Sequence, residues 1–252
     1  LRQRRLRSPH EKTPMVPRGS PTPEVDVLYE DNHLLALNKP ALTPTMGAPE
    51  GVASLLTVAK EYLARKYEKP GNVYLGVVSR LDAPVTGVVL MARTSKAASR
   101  LSAAFRGRDV EKTYLDAVSG PIDPPGGVLE HYLAKDERHR RVYATHAQHP
   151  QAQLARLSYA TVAVGRQTTL VEICLETGRK HQIRVQLSRV GHPILGDRKY
   201  GSPADFPRGI ALHGRRLALE HPVRREPLVI EAPLPASWRE HRGVASLVGQ
   251  VA

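Results

Sequence analysis

Residues 78–87 contain the first side chain whose type and position suggest chemistry, Asp82. The stretch reads Val-Ser-Arg-Leu-Asp-Ala-Pro-Val-Thr-Gly, and apolar segments lie on both sides of it. A carboxylate at a turn between two buried segments cannot fill the core, so another use is expected. In a cleft, an ionised aspartate can act as a nucleophile or as a proton acceptor. On this stretch alone, an aspartate that caps the turn or forms an ion pair is the alternative.

Residues 177–191 form a basic stretch, Thr-Gly-Arg-Lys-His-Gln-Ile-Arg-Val-Gln-Leu-Ser-Arg-Val-Gly, with helical spacing. Thr177 is placed to cap this helix and Gly191 to end it. Arg184 would flank the core and share a face with His181. The buried stripe would consist of Ile183, Leu187 and Val190. A plain position on the helix surface is the alternative for Arg184.

Residues 111–119 alternate as a half-buried strand does. Lys112, Tyr114 and Asp116 fall on one side of this strand, opposite Leu115. An aromatic residue on the polar side is a candidate for the wall of a cleft. A tyrosine packed at a sheet edge is an equally good interpretation of this pattern alone.

The remaining chain predicts the elements that must position these side chains. Asp31-Asn32 separates two short strands, and Lys39-Pro40 ends the second, so we leave Lys39 outside the catalytic set. Apolar spacing predicts helices over residues 52–67 and 95–106. Further strands are expected over residues 74–79, 128–133, 154–164, 168–175, 210–220 and 228–231.

Charge and composition indicate the kind of partner. The 252 residues carry a formal net charge of +13, which is typical of proteins that bind polyanions such as nucleic acid. Residues 1–24 contribute six basic and two acidic side chains, which leaves +9 for the rest of the chain. No apolar run is long enough for a membrane helix. The single cysteine, Cys174, excludes a disulfide framework and a thiolate metal site within one chain.

The chain divides into three parts on composition. Residues 1–24 are rich in Arg, Pro and Ser without periodicity, and we expect a disordered basic arm. Residues 25–236 are expected to form the folded catalytic domain, and residues 237–252 a C-terminal tail. Residues 135–141 form a charged run that is either a solvated face or a set of phosphate contacts.

Six segments together resemble the RluA family of RNA pseudouridine synthases. A lone Arg-Leu-Asp would be a weak signal, whereas six motifs in the expected order and spacing are a strong one. The likeness covers roughly residues 25–236. The segments are Asn38-Lys39-Pro40, Ser79-Arg80-Leu81-Asp82, Thr86-Gly87, Lys112-Thr113-Tyr114, Thr177-Gly178-Arg179-Lys180-His181-Gln182-Ile183-Arg184 and Gly191-His192-Pro193-Ile194-Leu195-Gly196-Asp197.

The resemblance implies a fold and a reaction. The fold would be α+β, a mixed and largely antiparallel sheet with flanking helices and two subdomains around a basic catalytic cleft. The reaction would convert a specific uridine of structured RNA, rRNA or tRNA, to pseudouridine without cofactor or metal. We expect a cytoplasmic monomer. A non-catalytic RNA-binding or ribosome-assembly factor on the same scaffold is the alternative, and hydrolytic cleavage of RNA has little support.

The resemblance also implies roles for individual residues. Asp82 matches the catalytic aspartate, Arg184 the basic residue that pairs with it, and Tyr114 the aromatic that packs on the target base. Arg80 matches the residue that fills the gap left by the flipped base. We assign to substrate binding Arg80, Leu81, Lys112, Arg179, His181 and Ile183.

Two positions depart from the family pattern. Ser79 stands where the family usually has His, and Val85-Thr86-Gly87 where it usually has Thr-Ser-Gly. These departures leave the proposed catalytic residues in place and affect the prediction of subfamily and target uridine.

Overall fold

Residues 25–250 are described by a computed structural model, so the arm expected over residues 1–24 lies outside the described residues. The strands are β1 (Val27–Glu30), β2 (Leu34–Lys39), β3 (Gly76–Val77), β4 (Thr86–Ala92), β5 (Glu111–Ser119), β6 (Gly126–Asp136), β7 (Arg141–Thr145), β8 (Gln153–Val164), β9 (Thr168–Leu175), β10 (Leu212–Glu220) and β11 (Pro227–Glu231). The helices are α1 (Leu55–Lys66), α2 (Ser95–Gly107), α3 (Gln182–Arg189), α4 (Ser237–Glu240) and α5 (Arg242–Val248), and Arg198–Tyr200 forms a 3-10 turn.

The strands form one mixed sheet in the order β1-β2-β4-β10-β5-β9-β8-β6-β7, with β3 beside β4 and β11 beside β10. Among the described strands, every pairing is antiparallel except that of β4 with β10. This parallel junction separates a part built on β1, β2 and β4 from a part built on β5 to β9. The α+β fold with a largely antiparallel sheet is therefore confirmed.

Strand β4 is buried on both faces, which explains its continuous apolar sequence. Val88 and Leu90 pack with Leu101 of α2 on one face. Val89 and Met91 pack with α1 on the other face. A strand covered on both sides needs apolar residues at every position rather than at every second one.

The parallel junction depends on glycine. Gly87 of β4 lies opposite Gly214 of β10 and has a φ of +116°. A Cβ at Gly87 would lie 2.2 Å from the carbonyl oxygen of Gly214. A side chain at this position is therefore excluded, and the two strands approach closely just after the turn that carries Asp82.

The second part of the sheet carries α3, α4 and α5. Residues 237–248 were expected to belong to a tail, but they form α4 and α5. The two helices bury Trp238 and Leu247 in the core that contains β5 and β9. Local sequence did not indicate this packing, because the apolar partners come from distant parts of the chain. No helix within residues 25–250 is long and apolar enough to cross a bilayer.

Helix α3 starts later than the spacing predicted. It begins at Gln182, and the residue before it, His181, has a left-handed conformation with φ 53°. Thr177 does not cap the helix backbone; instead its hydroxyl donates to Gln182 Oε1 at 2.8 Å. The same Oε1 accepts the backbone N–H of Arg179 at 3.0 Å. Gln182 thus fixes the loop of residues 177–181 that precedes α3.

Candidate active site

The turn that carries Asp82 connects β3 to β4 and is fixed from both ends. The hydroxyl of Ser79 accepts the backbone N–H of Leu90 at 2.7 Å. Thr45 Oγ1 donates to the carbonyl of Leu81 at 2.9 Å and accepts the N–H of the same residue at 3.2 Å. Strand β3 is shorter than the predicted strand of residues 74–79, and these side-chain contacts take the place of further strand pairing.

Lys39 ends β2, as the sequence predicted, and in addition contacts the turn that carries Asp82. Its side chain is fully buried and its Nζ donates to the carbonyls of Pro40 at 2.9 Å, Thr43 at 2.7 Å and Ala83 at 3.0 Å. Burial lowers the pKa of Lys39 to about 7, opposed by the charge of Asp82. Because all three acceptors are carbonyls, the ammonium form is the one that holds the turn. A lysine at the end of the apolar strand β2 was the available signal, since a buried lysine needs such partners.

Arg184 connects Asp82 to a second aspartate. One terminal nitrogen donates to Asp82 Oδ2 at 2.8 Å, while Nε and the other terminal nitrogen donate to Asp197 at 2.7 and 2.9 Å. Burial opposes the charge, but Asp197 and Asp82 outweigh it and raise the pKa of Arg184. The fork toward Asp197 fixes the guanidinium plane, so a permanent positive charge is held against Asp82.

Asp82 makes its side-chain contacts through one oxygen. Arg184 binds Oδ2, and His181 Nε2 faces the same atom at 3.5 Å. Within the described part of the chain, Oδ1 accepts no hydrogen bond, and the side chain is 30% exposed. One carboxylate oxygen is therefore directed to the cleft while the other is anchored.

The tautomer of His181 follows from Tyr200. The Tyr200 hydroxyl accepts the backbone N–H of Val142 at 3.1 Å and lies 2.6 Å from His181 Nδ1. When this hydroxyl donates its proton to Nδ1, the ring proton of a neutral His181 lies on Nε2, toward Asp82. Burial lowers the pKa of His181 to about 4, against the opposing effect of Asp82. Tyr200 also lies against Arg184, whose guanidinium carbon is 5.0 Å from the ring centre.

Tyr114 forms the wall of the cleft beside Leu81. A Cβ at Gly214 would lie 3.5 Å from the Tyr114 ring and 3.6 Å from the Leu81 methyl groups. Gly214 thus leaves the two side chains in place with little spare room. Burial, then the nearby Asp116 and Asp82, raises the pKa of Tyr114, so the phenol is neutral.

The cleft has a volume of about 920 Å³ and is strongly basic. Its lining contains seven Lys or Arg side chains against two carboxylates, Asp82 and Glu176. Glu176 is already paired with Arg156. The lining cations come from the turn that carries Asp82, from α2 and the residue that follows it, from β5, from β6 and from the 177–181 loop: Arg80, Arg106, Arg108, Lys112, Lys135, Arg179 and Lys180.

The structure brings most of the predicted site residues to this cleft. The predicted residues that line it are Arg80, Leu81, Asp82, Lys112, Tyr114, Arg179 and His181. Arg184 lies behind Asp82, in contact with it. Ile183, predicted to bind substrate, is instead buried in the core with Leu187. Helix α3 turns this side chain away from the cleft, so its contribution is to packing.

The fold and the site together define a class of RNA-modifying enzymes. The profile of the RNA pseudouridylate synthase family matches residues 33–189. The chain belongs to this family, as the resemblance to its RluA branch predicted, and it is an isomerase that converts uridine in RNA to pseudouridine.

Individual relatives support this assignment. An uncharacterized RNA pseudouridine synthase of Bacillus subtilis, YhcT, is 32% identical over 86% of this chain and 70% of its own length. The ribosomal large subunit pseudouridine synthase D of Xylella fastidiosa is 34% identical over 90% of this chain and 70% of its own length. Human RNA pseudouridylate synthase domain containing 4 has the same fold, with a TM-score of 0.72, 24% identity and coverage of 90% and 92% of the two chains.

Proposed function

We propose that Asp82 is the catalytic carboxylate and that Oδ1 is its reacting atom. The observation that carries this proposal is the asymmetry of its contacts, since Arg184 and His181 both face Oδ2. A carboxylate anchored through one oxygen is positioned without losing the lone pairs of the other. Either a nucleophile at the sugar or a proton acceptor requires such a free oxygen.

The reaction requires the uracil ring to rotate within the site after it separates from the sugar. The bond between N1 of uracil and the sugar breaks, the base rotates, and a bond from C5 to the same sugar carbon forms. The proton on C5 is then released and N1 takes up a proton, so that no atom is gained or lost overall. Tyr114 is placed to hold the planar base during this rotation, since it lies in the cleft beside Leu81.

Arg80 and the cleft cations are proposed to hold the RNA. The Arg80 side chain is exposed at the edge of the cleft, next in sequence to the Leu81-Asp82 turn. From there its planar guanidinium can occupy the gap that a flipped base leaves. Lys112, Arg179 and the other lining cations are placed for phosphate contacts, which makes binding sensitive to salt.

We further propose that the substrate is the RNA of the large ribosomal subunit, acted on by a monomer in the cytoplasm. The name of the Xylella fastidiosa relative, a ribosomal large subunit enzyme, supports this RNA over tRNA. Light scattering tests whether the protein is a monomer, and cell fractionation tests whether it is cytoplasmic.

The decisive experiment is tritium release from RNA labelled with 5-tritiated uridine, using a large-subunit rRNA transcript and pooled tRNA. Wild type should release tritium from the rRNA, and Asp82→Asn should release it at least about 10³-fold more slowly while still binding the rRNA. Asp205→Asn, at an exposed ion pair with Arg198, is the matched control and should keep full activity. Binding without release by wild type on any cellular RNA would instead support a non-catalytic RNA-binding factor.

A further inference from the structure

A second, smaller cavity lies beside the cleft. It lies between the β6–β7 hairpin, the residues that lead into β8 and the 177–181 loop, and it has a volume of about 260 Å³. We call it the side pocket. Its cations Lys135, Arg179 and Lys180 also line the cleft, so the two cavities share a basic wall.

The side pocket has a floor and a rim of different chemistry. Leu133 and Val142, both buried, form an apolar floor. The exposed amides of Gln151 and Gln153 and the carboxylate of Glu137 stand around it. A free phosphate would gain nothing from the apolar floor. A planar ring with polar edges can pack on the floor and form hydrogen bonds with the rim. Pockets for drug-sized ligands measure about 300–1,000 Å³, so this cavity suits a single heterocyclic ring system.

The shared wall is held in place before any ligand binds. Arg179 donates its Nε to the carbonyl of Leu154 at 3.0 Å, and its backbone N–H is held by Gln182. Within residues 25–250, none of Lys135, Arg179 and Lys180 forms an ion pair with a carboxylate. Unpaired cations between two cavities are placed for a phosphate that links two nucleotides. A fixed guanidinium can in addition stack on a base.

We propose that the side pocket binds the base of a nucleotide that neighbours the target uridine, with the connecting phosphate at Arg179 and Lys180. The proposal rests on the proposed function, in which the target uridine enters the cleft at Asp82. Glu137 accepts hydrogen bonds and donates none. Adenine, guanine or cytosine, which carry an exocyclic amino group, therefore fit the pocket better than uracil does.

The first test uses the double variant Gln151→Ala/Gln153→Ala, with Gln167→Ala as control. Gln167 is also an exposed glutamine, in the β8–β9 connection, and lines neither cavity. With 5-tritiated total RNA from cells that lack this protein, the double variant should raise KM about tenfold and leave kcat unchanged. An unchanged KM, or a fall in kcat with KM constant, would overturn the proposal.

The second test identifies the nucleotide that contacts the side pocket. A photoreactive benzoylphenylalanine at position 151, in an Asp82→Asn background, should crosslink to the nucleotide next to the target uridine. The same residue at position 167 should give no crosslink there. Crosslinks from position 151 that fall only at remote RNA sites would contradict the pocket assignment.

Equilibrium binding separates this inference from the proposed function. If wild type releases no tritium, the proposed function fails, yet the affinities of wild type and the double variant for the same RNA still decide the pocket. Equal dissociation constants would then reject it, and a constant raised about tenfold would retain the pocket as an RNA-binding site.

Discussion

Asp31 and Asp82 both follow a strand at a turn, and the difference between them shows what distinguishes a structural aspartate from a functional one. Asp31 Oδ1 accepts the backbone N–H groups of His33 and Leu34, each at 2.7 Å. Its Oδ2 accepts three further donors, from Tyr29, His221 and Arg224. Both oxygens are thus occupied, and nothing remains for a ligand.

The same contrast holds for the energetics. Burial opposes ionisation of Asp31, but the N–H of His33, Arg224 and the N–H of Leu34 hold its pKa well below the ordinary range. Asp82 has one oxygen on Arg184 and one directed to the cleft. Occupied lone pairs stabilise the fold, whereas an anchored carboxylate with one free oxygen can do chemistry.

The strongest test of this contrast exchanges each aspartate for asparagine. Asp82→Asn should lower the rate of tritium release by about 10³-fold or more, since the reacting oxygen is replaced, and change the free energy of unfolding by less than ~1 kcal/mol. Asp31→Asn should leave kcat near wild type and lower the free energy of unfolding by ~2–3 kcal/mol, because an amide group then meets N–H donors. Kinetics and urea titration measure both, and a loss of kcat in Asp31→Asn would break the contrast.

The next largest effect concerns the two arginine partners. Arg184→Met leaves Asp197, 1% exposed, without a cation, and the expected loss of unfolding free energy is ~3–5 kcal/mol. Arg224→Met is the matched control, because Arg224 is 46% exposed and Asp31 keeps four other donors. Its expected loss is below ~1 kcal/mol. Equal losses of unfolding free energy in the two variants would show that the buried ion pair of Arg184 with Asp197 stabilises the fold no more than the exposed pair of Arg224 with Asp31 does.

The contrast also explains how far the sequence alone could lead. The alternation of residues 111–119 and the apolar run of β4 predicted strands correctly, because those patterns are local. From the local pattern alone, however, Asp31 and Asp82 look alike, and only the six-segment resemblance singled out Asp82. What separates them comes from His221 and Arg224 in one case and Arg184 in the other, all distant along the chain.

The contacts of Lys39 and Tyr200 at the site were not predicted, for the same reason. Lys39 does end β2, as predicted, but its contact with Ala83 spans 44 positions and leaves no local pattern. Tyr200 lies beyond the basic stretch that was predicted to hold the site, and its role depends on Val142 in a separate hairpin. Trp238 was placed in a tail although it is fully buried, because its neighbours Phe206 and His213 are not adjacent in sequence.

The pH dependence of the free energy of unfolding tests whether a buried, hydrogen-bonded side chain keeps its contacts in acid. His213 lies between Thr86 Oγ1 at 2.8 Å and the carbonyl of Ala232 at 3.1 Å, and burial lowers its pKa from 6.5 to about 4. The pKa of His213 is lower in the folded state than in the unfolded state. Its contribution to the free energy of unfolding is therefore complete above pH 6.5 and is lost as the pH falls toward 4. The loss from His213 should reach ~3 kcal/mol.

Denaturant titrations from pH 8 to about 4 measure this loss. His181 titrates in the same window, so the effect of His213 is the difference between wild type and His213→Asn, which should have the shallower slope. Asp31→Asn should keep the wild-type slope above about pH 5, because the stability that comes from the lowered pKa of Asp31 is lost only as the pH falls through the ordinary aspartate pKa of 3.8 and below. A slope that is the same in wild type and His213→Asn would contradict this assignment.

The smallest expected effect is the removal of one hydroxyl, in Tyr200→Phe. Val142 N–H loses its acceptor, at a cost of ~1 kcal/mol in unfolding free energy, and His181 Nδ1 loses the proton that fixes its tautomer. The expected result is a fall in kcat of about tenfold with KM unchanged. The acidic limb of the kcat profile should move to higher pH, since an Nδ1 without a donor accepts a proton more readily.

Tyr143→Phe supplies the matched control for this positioning role. Tyr143 lies in the same strand as Val142, and its hydroxyl also contacts a histidine, His149, at 3.2 Å, but both are away from Asp82 in the exposed part of the hairpin. It should keep wild-type kcat and pH profile. If both variants lower kcat alike, the effect belongs to the hairpin as a whole. If only Tyr200→Phe shifts the acidic limb, the hydroxyl acts through His181 on the anchored side of Asp82.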